Sequence, residues 1–208
     1  RMRITSAGLI GLNSTSPTQE VSVGGNIDLQ SSSGGGATLR RIAWRNTNSS
    51  GFEVANIQGY TGTNIYEGQI AFQTKDGGGT MAEVMRIDSS HRVLIGITTA
   101  RDDFYQNGVN PHFQVEGGTT AKSSISATQN AATADGPRIF LGKTRGTGAQ
   151  IINDGDRLGA LTMQGADGSD LVPSAEIHGY VDGTPGANDM PGRLSFATAS
   201  DGAASTTE

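Results

Sequence analysis

The stretch that decides the fold is Arg1-Met2-Arg3-Ile4-Thr5-Ser6, because the chain repeats it as Val84-Met85-Arg86-Ile87-Asp88-Ser89. In both copies, apolar residues alternate with small or polar ones before and after a short break. Alternation with a period of two predicts half-buried strands, and two such strands joined by a short turn predict a β-hairpin. We therefore expect one hairpin at residues 1–17 and a second at residues 84–100.

The later parts of the two copies also correspond. Three blocks recur with small shifts in spacing: 42–44 as 161–163, 55–60 as 175–180, and 68–72 as 192–196. Self-similarity of this length is typical of repeat architectures. We expect two modules, residues 1–83 and 84–208, excised from a longer array, because the chain stops where its own motif would begin again.

Each module has a β-rich body after its hairpin, at residues 38–83 in the first and 157–208 in the second. The second module also contains an extra segment, residues 121–156, in which Ile139 and Leu141 alternate like a strand. Met81-Ala82-Glu83-Val84-Met85 is the one helical candidate. Many short strands with Gly- and Asp-rich turns predict an all-β fold.

Composition limits the functions that the chain can have. Of 208 residues, 31 are glycine, 34% are hydrophobic and 5% are aromatic, with a net charge of −5. Such a thin core favours oligomerisation, because burial has to offset roughly 1–2 kcal/mol of backbone entropy per residue. The absence of cysteine excludes disulfides and thiolate zinc sites. A pI near 5.2 argues against a nucleic-acid partner, and no apolar run is long enough for membrane insertion.

The repeated motif is similar to one found in a known group of proteins. Arg1-Met2-Arg3-Ile4, followed by Ser14-Thr15-Ser16-Pro17, resembles a motif common in phage tail fibres and other host-specificity proteins. The second copy differs in having His91 where glycine is usual and Ala100 where proline is usual. The tract Gly136-Pro137-Arg138-Ile139-Phe140-Leu141-Gly142-Lys143 also resembles segments of such fibres.

The resemblance implies repeated β-hairpin and short-strand modules in an elongated, intertwined homotrimeric fibre, with or without small β-sandwich beads. It implies a structural and host-recognition segment of the virion, in an extracellular phage tail, that supports attachment to the host cell. The expected partners are two further copies of the chain, other tail or fibre proteins, and a host surface glycan or protein receptor. Members often end in a self-cleaving intramolecular chaperone domain, and none of its catalytic residues can be placed on this segment.

Three sequence features suggest a ligand site, and each also has an ordinary interpretation. Gly142-Lys143-Thr144 ends like a phosphate-binding loop, but its spacing from Gly136 is one residue too long. The histidines are single and far apart, and we expect them at the surface. The aspartate pairs do not have the spacing of a calcium loop, so we interpret them as turns: Asp154 and Asp156, Asp167 and Asp170, Asp182 and Asp189. We expect no cofactor, no metal and no catalytic residue.

The aromatic residues suggest packing rather than a sugar-binding cleft. Trp44 alternates with Ile42 and is expected in the core, and Tyr60 and Tyr180 occupy equivalent positions in the two copies. Phe104 and Tyr105 lie in a stretch that only the second copy has. We expect these two to contact a receptor or a neighbouring chain from an exposed loop.

Two other functions remain open. A polysaccharide-degrading tailspike needs two carboxylates beside a sugar-binding cleft, and release of reducing sugar ends would identify it. A trimeric bacterial surface adhesin would share the β-rich repeats, and a neighbouring anchor domain in the full gene would identify that function. We expect a chain that is not an enzyme.

Overall fold

The computed structural model describes residues 2–6, 10–12, 21–23, 38–46, 52–62, 66–106 and 108–208. It is nearly all β, with 45% strand and 2% helix, which confirms the predicted fold class. Contacts divide the chain into two compact units, Arg1–Thr98 and Thr99–Glu208. The sequence repeat begins again at Val84, so the boundary at 83/84 stays a prediction about the repeat.

The first unit begins with the predicted hairpin. Strands β1 (Met2–Ile4) and β2 (Ile10–Leu12) pair antiparallel, and β3 (Val21–Val23) adds to β2 in parallel. Residues 1, 7–9 and 13–17 of the expected hairpin lie outside the described residues.

A larger antiparallel sheet follows in the first unit. Its strands pair in chain order: β4 (Thr38–Asn46), β5 (Phe52–Thr61), β6 (Gly68–Lys75), β7 (Met81–Ile87) and β8 (Val93–Ile95). Strands β7 and β8 form the second predicted hairpin, in which Met85 pairs with Ile95. The predicted helix at residues 81–85 is wrong, because this stretch is strand β7. Fewer than two turns is too short to nucleate a helix, whereas Met85 finds a partner in Phe72.

The second unit contains strand β9 (Phe113–Val115), a 3-10 helix (Thr120–Ser123), and a three-stranded antiparallel sheet. The strands of that sheet are β10 (Arg157–Ala166), β11 (Leu171–Val181) and β12 (Gly192–Thr198). The structure has no strand between residues 124 and 156, so the strand-like interpretation of Ile139 and Leu141 is wrong. Nearby Pro137 cannot donate a backbone hydrogen bond to a neighbouring strand.

The sequence repeat reappears as a repeated strand register. In the first unit, Ile57 at the centre of β5 pairs with Ile42 of β4 and Phe72 of β6. In the second, Ile177 of β11 pairs in the same way, with Leu161 of β10 and Phe196 of β12. We call β4–β6 the first sheet and β10–β12 the second sheet. The two copies of the sequence therefore form three-stranded sheets with the same register.

The described part of the chain contains no helix that is long and apolar enough to cross a membrane.

Candidate functional site: two sheets with exposed apolar faces

The first sheet exposes its apolar face. Side chains on one face of an antiparallel sheet come from directly paired residues, so Ile57 shares its face with Ile42. Ile42 is 54% exposed, and Trp44, which pairs with Ala55 on the same face, is 50% exposed. The expectation that Trp44 lies in the core is therefore wrong for the single chain, because nothing in the described first unit covers this face.

The second sheet exposes the matching face even more. On β12, Leu194 is 70% exposed and Phe196 is 68% exposed, and on β10, across the central strand, Leu161 is 53% and Met163 is 49% exposed. Large apolar side chains grouped on one sheet face form a patch of the kind that marks an interaction surface. This face is the strongest candidate site in the second unit.

The opposite faces of both sheets are buried and polar. Asn56 and Gln58 of β5 are buried at 2% and 7% exposure, and the equivalent residues of β11, Glu176 and His178, are buried at 4% and 6%. Ser195, which pairs with His178, is also buried. Each chain thus covers the polar side of its sheets itself and leaves the apolar side open, the reverse of a soluble monomer's usual arrangement.

The buried carboxylate of Glu176 is surrounded by hydroxyl donors. It accepts hydrogen bonds from the hydroxyls of Tyr105 and Thr206 and from that of Thr162 at 2.9 Å. His178 Nε2 lies 3.4 Å from Glu176 Oε1. Burial alone raises the pKa of Glu176, but the hydroxyl hydrogen bonds outweigh that effect and lower the pKa to about 2. The carboxylate therefore stays ionised without a lysine or arginine partner at the described contacts.

The loop that only the second copy has supplies one of these hydroxyls. Its backbone is held by the amide of Leu171, which donates to the carbonyl of Asp103 at 2.8 Å. Tyr105 adopts a positive φ of 54°, and its hydroxyl donates to Glu176. Phe104 and Tyr105 are half-buried. Their predicted contact with a receptor or neighbour stays a prediction, and the Tyr105 hydroxyl has a structural role besides.

The first sheet fills its polar face with amides instead. Asn56 donates to Glu53 at 2.7 Å and to Gln73 at 3.0 Å, and Glu53 pairs with Arg41 at 3.0 Å. The equivalent tyrosines, for which a packing role is predicted, are both half-buried beneath an arginine. Arg86 stacks over Tyr60 at 5.1 Å, and Arg193 stacks over Tyr180 at 5.0 Å.

The remaining predicted candidates have local roles. Lys143 Nζ lies 3.2 Å from Asp156, so it forms an ion pair on an irregular segment. Asp167 accepts from the amides of Ser169 and Asp170 at 2.8 and 2.9 Å, as expected of a turn. Among the described residues, no three His, Asp or Glu side chains are grouped as metal ligands.

Two of the three histidines are exposed, but the expectation of a surface position is wrong for His178.

The buried Glu176 cluster was missed by sequence reasoning. Its signal is the alternation around Ile177, which places Glu176 and His178 on the face opposite to the apolar one. The sequence does not show that this opposite face is covered by Tyr105 and Thr206, which are distant in the chain.

Comparison with solved structures gives the fold a context. The C-terminal domain of the bacteriophage T5 L-shaped tail fibre with its intramolecular chaperone domain matches 88% of this chain, with a TM-score of 0.68 and 14% identity. The chain spans 56% of that structure's length. The same C-terminal domain without the chaperone matches 95% of this chain and is covered over 84% of its own length, with a TM-score of 0.64 and 14% identity.

The chain has the fold of a phage tail-fibre domain. The likeness inferred from the hairpin motif is thereby confirmed for the fold. No protein-family model matches the chain, and no curated protein matches its sequence.

Proposed function

We propose that this chain is a structural segment of a trimeric phage tail fibre that supports attachment of the virion to the host surface, without catalysis of its own. One observation carries the proposal: both sheets bury a polar face and expose an apolar one. Copies of the chain that place these faces together around one axis would remove that apolar area from water. The tail-fibre fold supports the same arrangement.

Attachment follows from multivalency. A trimer presents each surface feature three times, and several weak contacts made together give a much higher avidity than one contact alone. Phe104 and Tyr105 belong to the proposal as contacts with a receptor or a neighbouring chain, and other tail or fibre proteins are further proposed partners.

Solution mass tests the proposal directly. Light scattering over a tenfold concentration range should give about 64 kDa, three times the chain mass of 21.4 kDa, with strand content by circular dichroism. A Phe196→Asp variant should dissociate, because the charge would be buried in the trimer. It should remain folded as a monomer, because Phe196 is already 68% exposed in the single chain.

Ser200→Asp is the matched control, because Ser200 lies just beyond β12 and is exposed. It should leave the mass near 64 kDa. A wild-type chain that stays folded and monomeric at every concentration would overturn the proposal. Release of reducing ends from a host polysaccharide by the purified chain would replace it with the tailspike function.

A further inference from the structure

The extra segment of the second unit lies beside the apolar face of the second sheet. Leu141 packs so closely on β10 that a Cβ at Gly159 would lie 2.7 Å from the Leu141 Cβ. Glycine at position 159 therefore allows the segment to approach the sheet. The segment covers only part of this face, because Leu194 and Phe196 stay 70% and 68% exposed.

An apolar groove remains between this segment and the sheet. It has a volume of about 310 Å³. Its apolar lining comes from the segment and from all three strands: Ile139, Leu141, Leu158, Leu161, Ile177 and Leu194. An apolar groove that stays open to water favours an apolar occupant.

The chain displays a side chain suited to this groove. Phe140 stands between Ile139 and Leu141, both of which line the groove, yet Phe140 is not part of the lining and is 83% exposed. Leu141 packs on its own sheet and Ile139 lines the groove, whereas the Phe140 ring stays largely exposed to water in the single chain. An aromatic ring offers about 150–250 Å² for burial.

We propose that Phe140 of one copy inserts into the second-sheet groove of a neighbouring copy, so that the extra segment fastens adjacent chains of the fibre. Each copy carries both the inserted ring and the receiving groove. Such a head-to-tail contact closes into a ring when the copies are related by rotation. The occupant of the groove is thus a second copy of this chain.

The available apolar area suits this occupant. Phe140 and Ile139 are 83% and 80% exposed, and four side chains of the second sheet are exposed by about half or more: Leu161 at 53%, Met163 at 49%, Leu194 at 70% and Phe196 at 68%. In one head-to-tail contact these side chains, the segment's from one copy and the sheet's from the next, offer on the order of 800 Å² in total, about half of a standard stable interface. A closed ring of copies engages every chain twice, once through its Phe140 and once through its groove, so each chain contributes to two such contacts.

The absence of cysteine allows a direct test. This inference rests on the proposed self-association. The experiment therefore measures both the self-association and the insertion of Phe140. Chains carrying Phe140→Cys are mixed in denaturant with chains carrying Leu194→Cys, refolded together and oxidised. We expect a disulfide-linked pair at twice the 21.4 kDa chain mass on a non-reducing gel, with the 140–194 linkage identified by peptide mass spectrometry. Each variant has one cysteine, so every link joins two chains.

A chain carrying Ser169→Cys, in the exposed turn after β10, replaces the Leu194→Cys chain as control and should not link to position 140. An assembly near 64 kDa without the 140–194 link would overturn the insertion of Phe140 while leaving the proposed function intact. A monomer near 21.4 kDa would overturn both.

The strength of the assembly gives a second measurement. Phe140→Ala should raise the concentration at which the assembly dissociates about tenfold or more, as expected of a buried aromatic anchor. Ile125→Ala is the matched control, because Ile125 belongs to the same segment, is 76% exposed and lies outside the groove. Equal effects of the two variants would contradict a specific role for Phe140.

Discussion

The first and second sheets are built on the same register but fill their buried faces with different chemistry. Ile57 and Ile177 occupy the same central position, each between two apolar partners. Behind Ile57 the buried side chains are amides, whereas behind Ile177 they are a carboxylate and an imidazole. The apolar face is thus the repeated feature, whereas the buried polar side chains differ between the two copies.

This difference indicates what each face is for. A polar face covered by its own chain needs only hydrogen-bond partners from that chain. Asn56 and Gln73 meet this need in the first sheet, and Glu176 and Tyr105 meet it in the second. An apolar face shared between copies of the chain must fit an identical neighbour. Keeping it apolar in both modules is what an assembly surface requires.

The largest expected difference between the sheets lies in their central buried polar residues. Glu176→Ala should lower the free energy of unfolding by about 3 kcal/mol, because three hydroxyls lose an ionised acceptor. Asn56→Ala should cost about 1 to 2 kcal/mol, because it removes one hydrogen bond to Gln73 and one to Glu53, a carboxylate that keeps Arg41 as its partner. Denaturant titration followed by circular dichroism measures both.

The single tryptophan separates the two units in this experiment. Trp44 lies in the first sheet, so its fluorescence reports that sheet, while circular dichroism reports both. Glu176→Ala should shift the circular dichroism transition more than the fluorescence transition. Equal losses for the two variants would show that the ionised carboxylate stabilises its sheet no more than an amide does.

The second sheet should also be sensitive to acid through Glu176. Its pKa is lowered from an ordinary value of 4.5 to about 2. A lowered pKa stabilises the fold above the ordinary value, and this stabilisation is lost as the pH falls from 4.5 toward 2. The stability difference between the wild type and Glu176→Gln should therefore be constant at neutral pH and shrink over that range.

Asn56→Asp offers the converse test in the first sheet. The new carboxylate would lie beside Glu53, whose Oε1 accepts from Asn56 at 2.7 Å. Two neighbouring carboxylates repel, so this variant should gain stability as the pH falls. For the second sheet, the difference in the free energy of unfolding between the wild type and Glu176→Gln is the deciding quantity. If that difference does not change with pH, the role assigned to the hydroxyls around Glu176 is contradicted.

How much the sequence can predict depends on how far apart the interacting residues are. The hairpins and the repeat follow from alternation within a few residues, so the hairpin that joins Met85 to Ile95 is predicted correctly. The exposure of Trp44 could not be predicted, because alternation identifies an apolar face without showing whether the same chain covers it. The Glu176 site brings together Tyr105 and Thr206, which are 71 and 30 residues away in the chain, so no local pattern indicates it.

The smallest expected effect concerns the turn of the repeated hairpin. His91 stands where the first copy has Gly8, and its φ is 61°. A side chain in this left-handed region costs about 1–2 kcal/mol, and glycine would remove that cost. Glycine also gives the unfolded chain more conformational freedom, which offsets part of the stabilisation. His91→Gly should therefore stabilise the hairpin by about 0.5 kcal/mol, as measured by thermal unfolding followed at Trp44.

Ser90→Gly is the matched control for this turn, because Ser90 precedes His91 without a positive φ. It should destabilise the fold by about 0.5–1 kcal/mol, since only the entropic cost of glycine remains. A general loosening of the turn would change the stability of both variants in the same direction, so it cannot explain opposite changes at two adjacent positions. If both variants destabilise alike, the left-handed conformation of His91 carries no strain, and glycine at the equivalent place in the first copy needs another explanation.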